Sequence, residues 1–127
     1  MRLLLDTHAL LWWLADAPGL GPSARAAIAS AESAVAFSAA SAWEIAIKRA
    51  AGRLVVPDDL PDRLGGEAFD PLPMTPRHAW HAGALPAHHA DPFDRMLIAQ
   101  ASIEGMTLVT ADPQIARYDV HRLDAAS

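Results

Sequence analysis

The sequence contains no cysteine. That excludes a disulfide framework, a thiolate metal site and a cysteine nucleophile, so any metal here must be held by oxygen or nitrogen. Long apolar runs are missing as well: the longest uninterrupted one, Ala9 to Ala15, has seven residues, where a membrane-spanning helix needs about 20. Arg2 ahead of Leu3 to Leu5, with small residues at Ala15 and Ala17, imitates the start of a signal peptide, but Asp6 and His8 interrupt its apolar stretch. A cytoplasmic protein with no membrane partner is expected. Basic charge is also in short supply: 10 Lys and Arg against 15 Asp and Glu give a net charge of -5. No global positive field of the kind seen on highly basic nucleic-acid-binding domains exists, and the question becomes where the acids sit.

What is present is 52% apolar and 20% charged residues, the balance of a globular chain rather than a disordered one. Alanine supplies 28 of the 127 positions, which favours helices with close-packed faces. The length suits one compact domain, 1–127, and neither an internal repeat nor a low-complexity linker divides it.

Arg2 to Asp6 runs from a basic residue through three leucines to an acid, the pattern of a buried parallel strand. Leu10, Leu11, Leu14 and one of Trp12 or Trp13 then share a helical face, and Gly19 to Pro22 breaks it. Ser23 to Ala31 reads as a helix and Ala34 to Phe37 as a strand. Ser41 opens a helix through about Ala51, stopped by Gly52. Prolines crowd the segment from Val55 to His89, so short helices are expected there around Asp59 to Leu64 and Arg77 to Ala84. Asp91 to Gly105 is the clearest helix, with Pro92 in its first turn. Thr107 to Thr110 reads as a strand, Asp112 to Arg117 as a short helix and Asp119 to Leu123 as a last strand. Strands alternating with helices predict an α/β fold, a parallel central sheet with helices on both faces.

In such sheets ligands bind beyond the carboxyl ends of the strands. Asp6, Glu44, Asp94 and Asp112 all fall at predicted strand-to-helix junctions. Singly, each has a plain structural role. Asp112-Pro113 is a good helix start, Asp91-Pro92-Phe93-Asp94 is another, Asp6 can cap the helix that follows, and Ser41-Ala42-Trp43-Glu44 fits the capping-box pattern. Together, four carboxylates converging on one rim would repel each other unless protonated or bound to cations, and an all-oxygen cluster suits Mg²⁺ or Mn²⁺. Hydroxyls at Thr7, Ser38, Ser41 and Thr110 could steady such a site, or simply cap and turn the chain.

The segments Leu3-Leu4-Leu5-Asp6-Thr7-His8-Ala9-Leu10-Leu11-Trp12, Ser38 to Lys48 with Trp43-Glu44 inside it, Asp91-Pro92-Phe93-Asp94-Arg95-Met96-Leu97-Ile98-Ala99-Gln100-Ala101 and Thr110-Ala111-Asp112 together resemble PIN-domain ribonucleases, and most of all the VapC toxins of bacterial toxin–antitoxin operons. The resemblance covers nearly the whole chain, in the right order. It implies a single PIN-like domain acting as a metal-dependent endoribonuclease, with a catalytic and metal-binding quartet at Asp6, Glu44, Asp94 and Asp112 and Mg²⁺, or Mn²⁺, as cofactor. Asp91 is an accessory candidate for which capping is the favoured role. The resemblance further implies an RNA substrate, a VapB-like antitoxin encoded nearby, and a homodimer. The proline-rich middle from Leu54 to His89 matches the family only loosely.

Several other residues carry weaker signals. Lys48, Arg49, Arg53 and Arg95 lie near the acidic helices and could meet RNA phosphates, with Lys48 and Arg95 the foremost candidates, or be ordinary solvated charge. The six histidines, His8, His78, His81, His88, His89 and His121, form no recognised zinc pattern. Trp12, Trp13, Trp43 and Trp80 belong to core or interface. Two other classes of function remain open: a receiver-like phosphoacceptor signalling module, which would need a lysine at the end of the last strand where Arg122-Leu123-Asp124 stands, and a non-catalytic interaction domain whose acids only cap helices.

Overall fold

A computed structural model describes all residues, 1–127. Five strands, β1 (Arg2–Leu5), β2 (Ala34–Ser38), β3 (Asp70–Leu72), β4 (Thr107–Thr110) and β5 (Arg122–Asp124), form one sheet in the order β3-β2-β1-β4-β5, and every pairing is parallel. Six α-helices connect them: α1 (Thr7–Leu14), α2 (Pro22–Ala29), α3 (Ala39–Ala50), α4 (Leu60–Gly66), α5 (Pro76–Ala84) and α6 (Pro92–Glu104), with a 3-10 turn at Ile115–Arg117 before β5.

β1 sits at the centre because both of its faces are apolar. Leu3 and Leu5 pack with Ala9, Leu10, Ile28, Ile45 and Leu64, covered by α1, α2, α3 and α4. Leu4 points the other way, onto Leu97, Ile98 and Ala101 of α6 and onto Ile115 and Tyr118. All three leucines are fully buried, each contributing about 1.5–3 kcal/mol relative to exposure. The chain moves outward from β1 through β2 to β3, then crosses back to β4, so the strand order reverses beside β1. That switch point, at the carboxyl ends of the strands, is where an open α/β sheet leaves a crevice.

Element ends follow local chemistry. Gly105 adopts φ 66° and closes α6, its N–H returning to the Ala101 carbonyl, a left-handed position that glycine fills without strain. Four expectations need correction. Helix α3 begins at Ala39, capped by the Ser38 hydroxyl on Ala40 N–H, so Ser41 lies inside the helix and forms no capping box with Glu44. Asp112 starts a turn that tightens into the 3-10 segment rather than an α-helix. The last strand is Arg122–Asp124, and Val120 lies ahead of it, packed against the α6 side of the core. The edge strand β3 was not expected at all. Pro71 lies within it, which is tolerated because an edge strand has one side with no ladder to donate to.

Candidate active site

Asp6 ends β1 and caps α1, its Oδ1 accepting from the Ala9 N–H at 2.8 Å. The side chain is almost wholly buried. Burial raises its pKa above the ordinary value, against the lowering effect of a hydrogen bond from the Thr110 hydroxyl, and the Asp112 charge adds to the rise. Thr110 ends β4, the strand beside β1, and its Oγ1 also accepts from the Asp112 N–H at 3.1 Å. The backbone joins the two strands at this point too, Asp6 N–H donating to the Val109 carbonyl at 3.0 Å.

Asp94 enters from the first turn of α6. Its own N–H and that of Phe93 are taken by Asp91 Oδ1, at 3.1 and 2.8 Å, so Asp91 caps the helix while Asp94 faces inward. Burial, with the Asp91 and Asp6 charges adding to it, pushes the Asp94 carboxyl from 3.8 up to about 6, against the lowering influence of His89. His89 Nε2 lies 2.8 Å from Asp94 Oδ2 and 3.3 Å from Asp112 Oδ2. One ring nitrogen thus stands within hydrogen-bond reach of an oxygen of each of two acids.

Glu44 lies one turn into α3, buried, with both oxygens engaged. Oε1 accepts from Thr7 Oγ1 and Oε2 from Lys48 Nζ, each at 2.6 Å. Ser41 Oγ stands 3.0 Å from the same Thr7 oxygen. The structure thus brings Asp94 and Asp112 together around His89, sets Asp6 near enough for charge to act between it and both, and attaches Glu44 to Asp6 through Thr7, the residue after it. Lys48 is the counter-charge of Glu44 within its own helix, with a third of its side chain open to solvent.

Arg95 has a role that its sequence did not reveal. Its terminal nitrogens donate to the carbonyls of Ala82, Leu85 and Pro86 at 2.9 Å and of His89 at 3.3 Å. Tyr118 Oη adds a bond to Pro86 and accepts from the His89 N–H, both at 2.8 Å. The guanidinium clamps the loop that leads from α5 to α6, its donors engaged by backbone carbonyls. Buried His78 is similarly spent: Nδ1 accepts from the Thr75 N–H and Nε2 reaches Glu104 Oε1. His8 is exposed and lies against Trp12, outside the acidic cluster.

Buried Asp6 with half-buried Asp94 and Asp112, gathered at the carboxyl ends of β1 and β4, is the frame in which the sequence matches known proteins. The PIN domain family matches residues 3–121. This chain belongs to the PIN-domain family. Among curated relatives, it is 33% identical over 119 residues to Ribonuclease VapC22 of Mycobacterium tuberculosis, covering 91% of each chain. Its PIN fold superposes on the crystal structure of VapBC2 from Rickettsia felis bound to a DNA fragment from their promoter with TM-score 0.73, at 14% identity and over 97% and 98% of the two chains. FitAcB from Neisseria gonorrhoeae gives TM-score 0.71 at 21% identity, over 97% of both. At such identities the structural likeness is one of fold.

Within this PIN domain the residue that sequence reasoning passed over is His89. Ligand atoms of His89, Asp94 and Asp112 all lie within 4.8 Å of one another. A signal was present, since His89 stands two residues before the Asp91-Pro92 helix start, but only the fold shows that the loop turns its ring back between two acids.

Proposed function

We propose that this PIN domain is a metal-dependent endoribonuclease and the toxin of a toxin–antitoxin pair. The observation that carries the reading is the convergence of Asp6, Asp94 and Asp112 at the carboxyl ends of β1 and β4, where desolvation raises the pKa of two of them. Such a cluster is held at neutral pH at a cost that a divalent cation would offset, so the residues present fit a metal site. Asp6, Asp94 and Asp112 would hold the cation, with Glu44 supporting from α3, and hard carboxylate oxygens make Mg²⁺ the expected ion with Mn²⁺ as the alternative. When bound, a divalent cation supplies Lewis acidity towards water and a phosphodiester. The protein's own part is to hold the acids in place: the Ala9 N–H holds Asp6, Asp91 caps the turn that carries Asp94, and Thr7 with Ser41 orients Glu44. Lys48, beside Glu44 and partly open, is placed to meet an RNA phosphate at the rim.

The partner assignment rests on relatives that are themselves complexes, among them a toxin-antitoxin complex from Klebsiella pneumoniae. In this chain a groove of about 360 Å³ runs between α1 and the segment ahead of α4, lined by Leu11, Trp12, Leu54, Val55 and Leu60. Val55 is 98% exposed at its rim. An amphipathic antitoxin segment would cover that apolar surface. A homodimer is also expected, and exposed Trp43 and Ile47 on α3 are available to it. The receiver-like alternative loses its footing because the one lysine in the chain, Lys48, is bound to Glu44 rather than ending a strand. No helix is long and apolar enough to cross a membrane.

The test is cleavage of structured RNA by purified protein with Mg²⁺, with EDTA, and with Asp94→Asn. Chelator and substitution should each reduce cleavage by about 100-fold or more, the scale of losing a main source of charge stabilisation. Cleavage indifferent to both would remove the proposal. Co-expression with the neighbouring small reading frame should relieve growth arrest.

A further inference from the structure

We propose that His89 is a nitrogen ligand of the metal centre, and that its imidazole shifts the site's preference from Mg²⁺ towards Mn²⁺ and other transition ions. The inference rests on the metal-dependent reading above and adds to the acidic quartet a residue of another chemical type.

Geometry supports it first. His89 Nε2 stands 2.8 Å from Asp94 Oδ2 and 3.3 Å from Asp112 Oδ2. Adjacent ligands around an octahedral cation at about 2.1 Å are roughly 3.0 Å apart, and the two measured separations bracket that value. The three ligand atoms come from the loop before α6, the first turn of α6 and the turn after β4, and all lie within 4.8 Å of one another.

The ring is also held there by its backbone. His89 N–H is bound to Tyr118 Oη, Tyr118 Oη to the Pro86 carbonyl, and Arg95 to the carbonyls of Ala82, Leu85, Pro86 and His89. Arg95 is the residue after Asp94 on α6. One helical turn therefore fixes both the loop that carries the imidazole and the carboxylate facing it, the arrangement that preorganises a ligand set. A neutral imidazole offers its Nε2 lone pair by carrying its proton on Nδ1 instead. Mg²⁺ favours oxygen ligands and waters, whereas imidazole nitrogen suits the transition ions.

The opposing possibility is that His89 merely bonds the acids while no cation is there, and swings out when one arrives. Full-length protein stripped of metal separates the two when titrated with MnCl₂ and with MgCl₂ by calorimetry, and when its Mn²⁺-loaded form is examined by pulsed EPR. The expected result is Mn²⁺ binding about 10-fold or more tighter than Mg²⁺, with a ¹⁴N coupling from imidazole. His89→Gln should lose that coupling and weaken Mn²⁺ roughly 10- to 100-fold while leaving Mg²⁺ nearly unchanged. Mn²⁺ binding without a nitrogen coupling in the wild-type protein, a coupling that survives in His89→Gln, or tighter binding of both ions by that variant would overturn the inference and leave the metal-dependent reading intact. Failure of the wild-type protein to bind either ion would bring down both.

Discussion

Thr7 Oγ1 donates to Glu44 Oε1 at 2.6 Å, joining the first residue of α1 to the middle of α3 across the crevice. Because Thr7 follows Asp6, this bond sets the place of Glu44 relative to the acid that ends β1. Thr7→Val keeps the shape and removes the donor, leaving a buried carboxylate oxygen without its partner. We expect a loss of about 1–3 kcal/mol in urea denaturation, together with reduced RNA cleavage. Thr7→Ser should retain most of both, and equal stability of all three proteins would show that the bond contributes nothing.

The acids should make the metal-free protein less stable as pH rises. Asp94 goes from 3.8 to about 6 on folding. Between those values the folded chain keeps a proton that the unfolded chain has lost, so its stabilising contribution is complete below 3.8 and lost as pH rises through about 6. Its size is on the order of 3 kcal/mol, and the raised pKa of Asp6 acts with the same sign. Urea denaturation in EDTA at several pH values from 4 to 7.5 should show the decline, and Asp94→Asn should flatten it. An equally steep decline in the variant would assign the effect elsewhere.

Divalent metal should reverse that penalty at neutral pH. At 100 times its dissociation constant a cation stabilises by about 2.7 kcal/mol, so Tm should rise clearly at pH 7.5 and far less at pH 5, where Asp94 holds its proton. A Tm that does not respond to either Mg²⁺ or Mn²⁺ at pH 7.5 would mean that the cluster does not bind them.

Arg95→Lys is expected to act on the scaffold. A single ammonium cannot serve the four carbonyls that the guanidinium holds, and a cost of about 1–3 kcal/mol follows. The KM for RNA should change little in comparison with the loss of stability. A large rise in KM with unchanged stability would restore the phosphate-binding role.

Val55→Asp tests the partner surface. The side chain is almost fully exposed, so stability and RNA cleavage should stay as they are while affinity for the antitoxin falls, by about 10-fold or more if Val55 anchors an apolar contact. Calorimetry with the co-encoded partner gives the answer, and unchanged affinity would move the docking surface off this groove.

Much of this protein could be read directly from its residues. Periodicity identified β1, β2, β4 and the long helix α6 because each is buried on a regular face, and the Asp-Pro and Gly signals marked the ends of α6. Asp6 and Asp112 were candidates because the turns after parallel strands gather at one edge of the sheet, whereas Asp94, read as a strand-to-helix junction, opens α6 after a loop from the helix α5. The errors fell where short-range patterns compete. Ser41 matched a capping box in sequence, yet Ser38, three residues earlier, caps the helix, because β2 runs one residue further than its apolar pattern suggests. β3 has three residues and a proline, so its pairing with β2 depends on the sheet edge being there to receive it.

The sequence by itself determined most of the alternation of strands and helices, the absence of thiols and of a long apolar run, and which acids stand at element ends, since these depend on local periodicity and residue type. Only tertiary structure decided which acids meet, that Glu44 is shared between Thr7 and Lys48, that Arg95 serves a loop, and that His89 stands between Asp94 and Asp112. Apart from the i,i+4 pair Glu44–Lys48, those relations join residues that no helical or strand periodicity brings together. The return of β4 to the far side of β1 brings segments more than a hundred residues apart within hydrogen-bond reach, as where Asp6 N–H donates to the Val109 carbonyl at 3.0 Å.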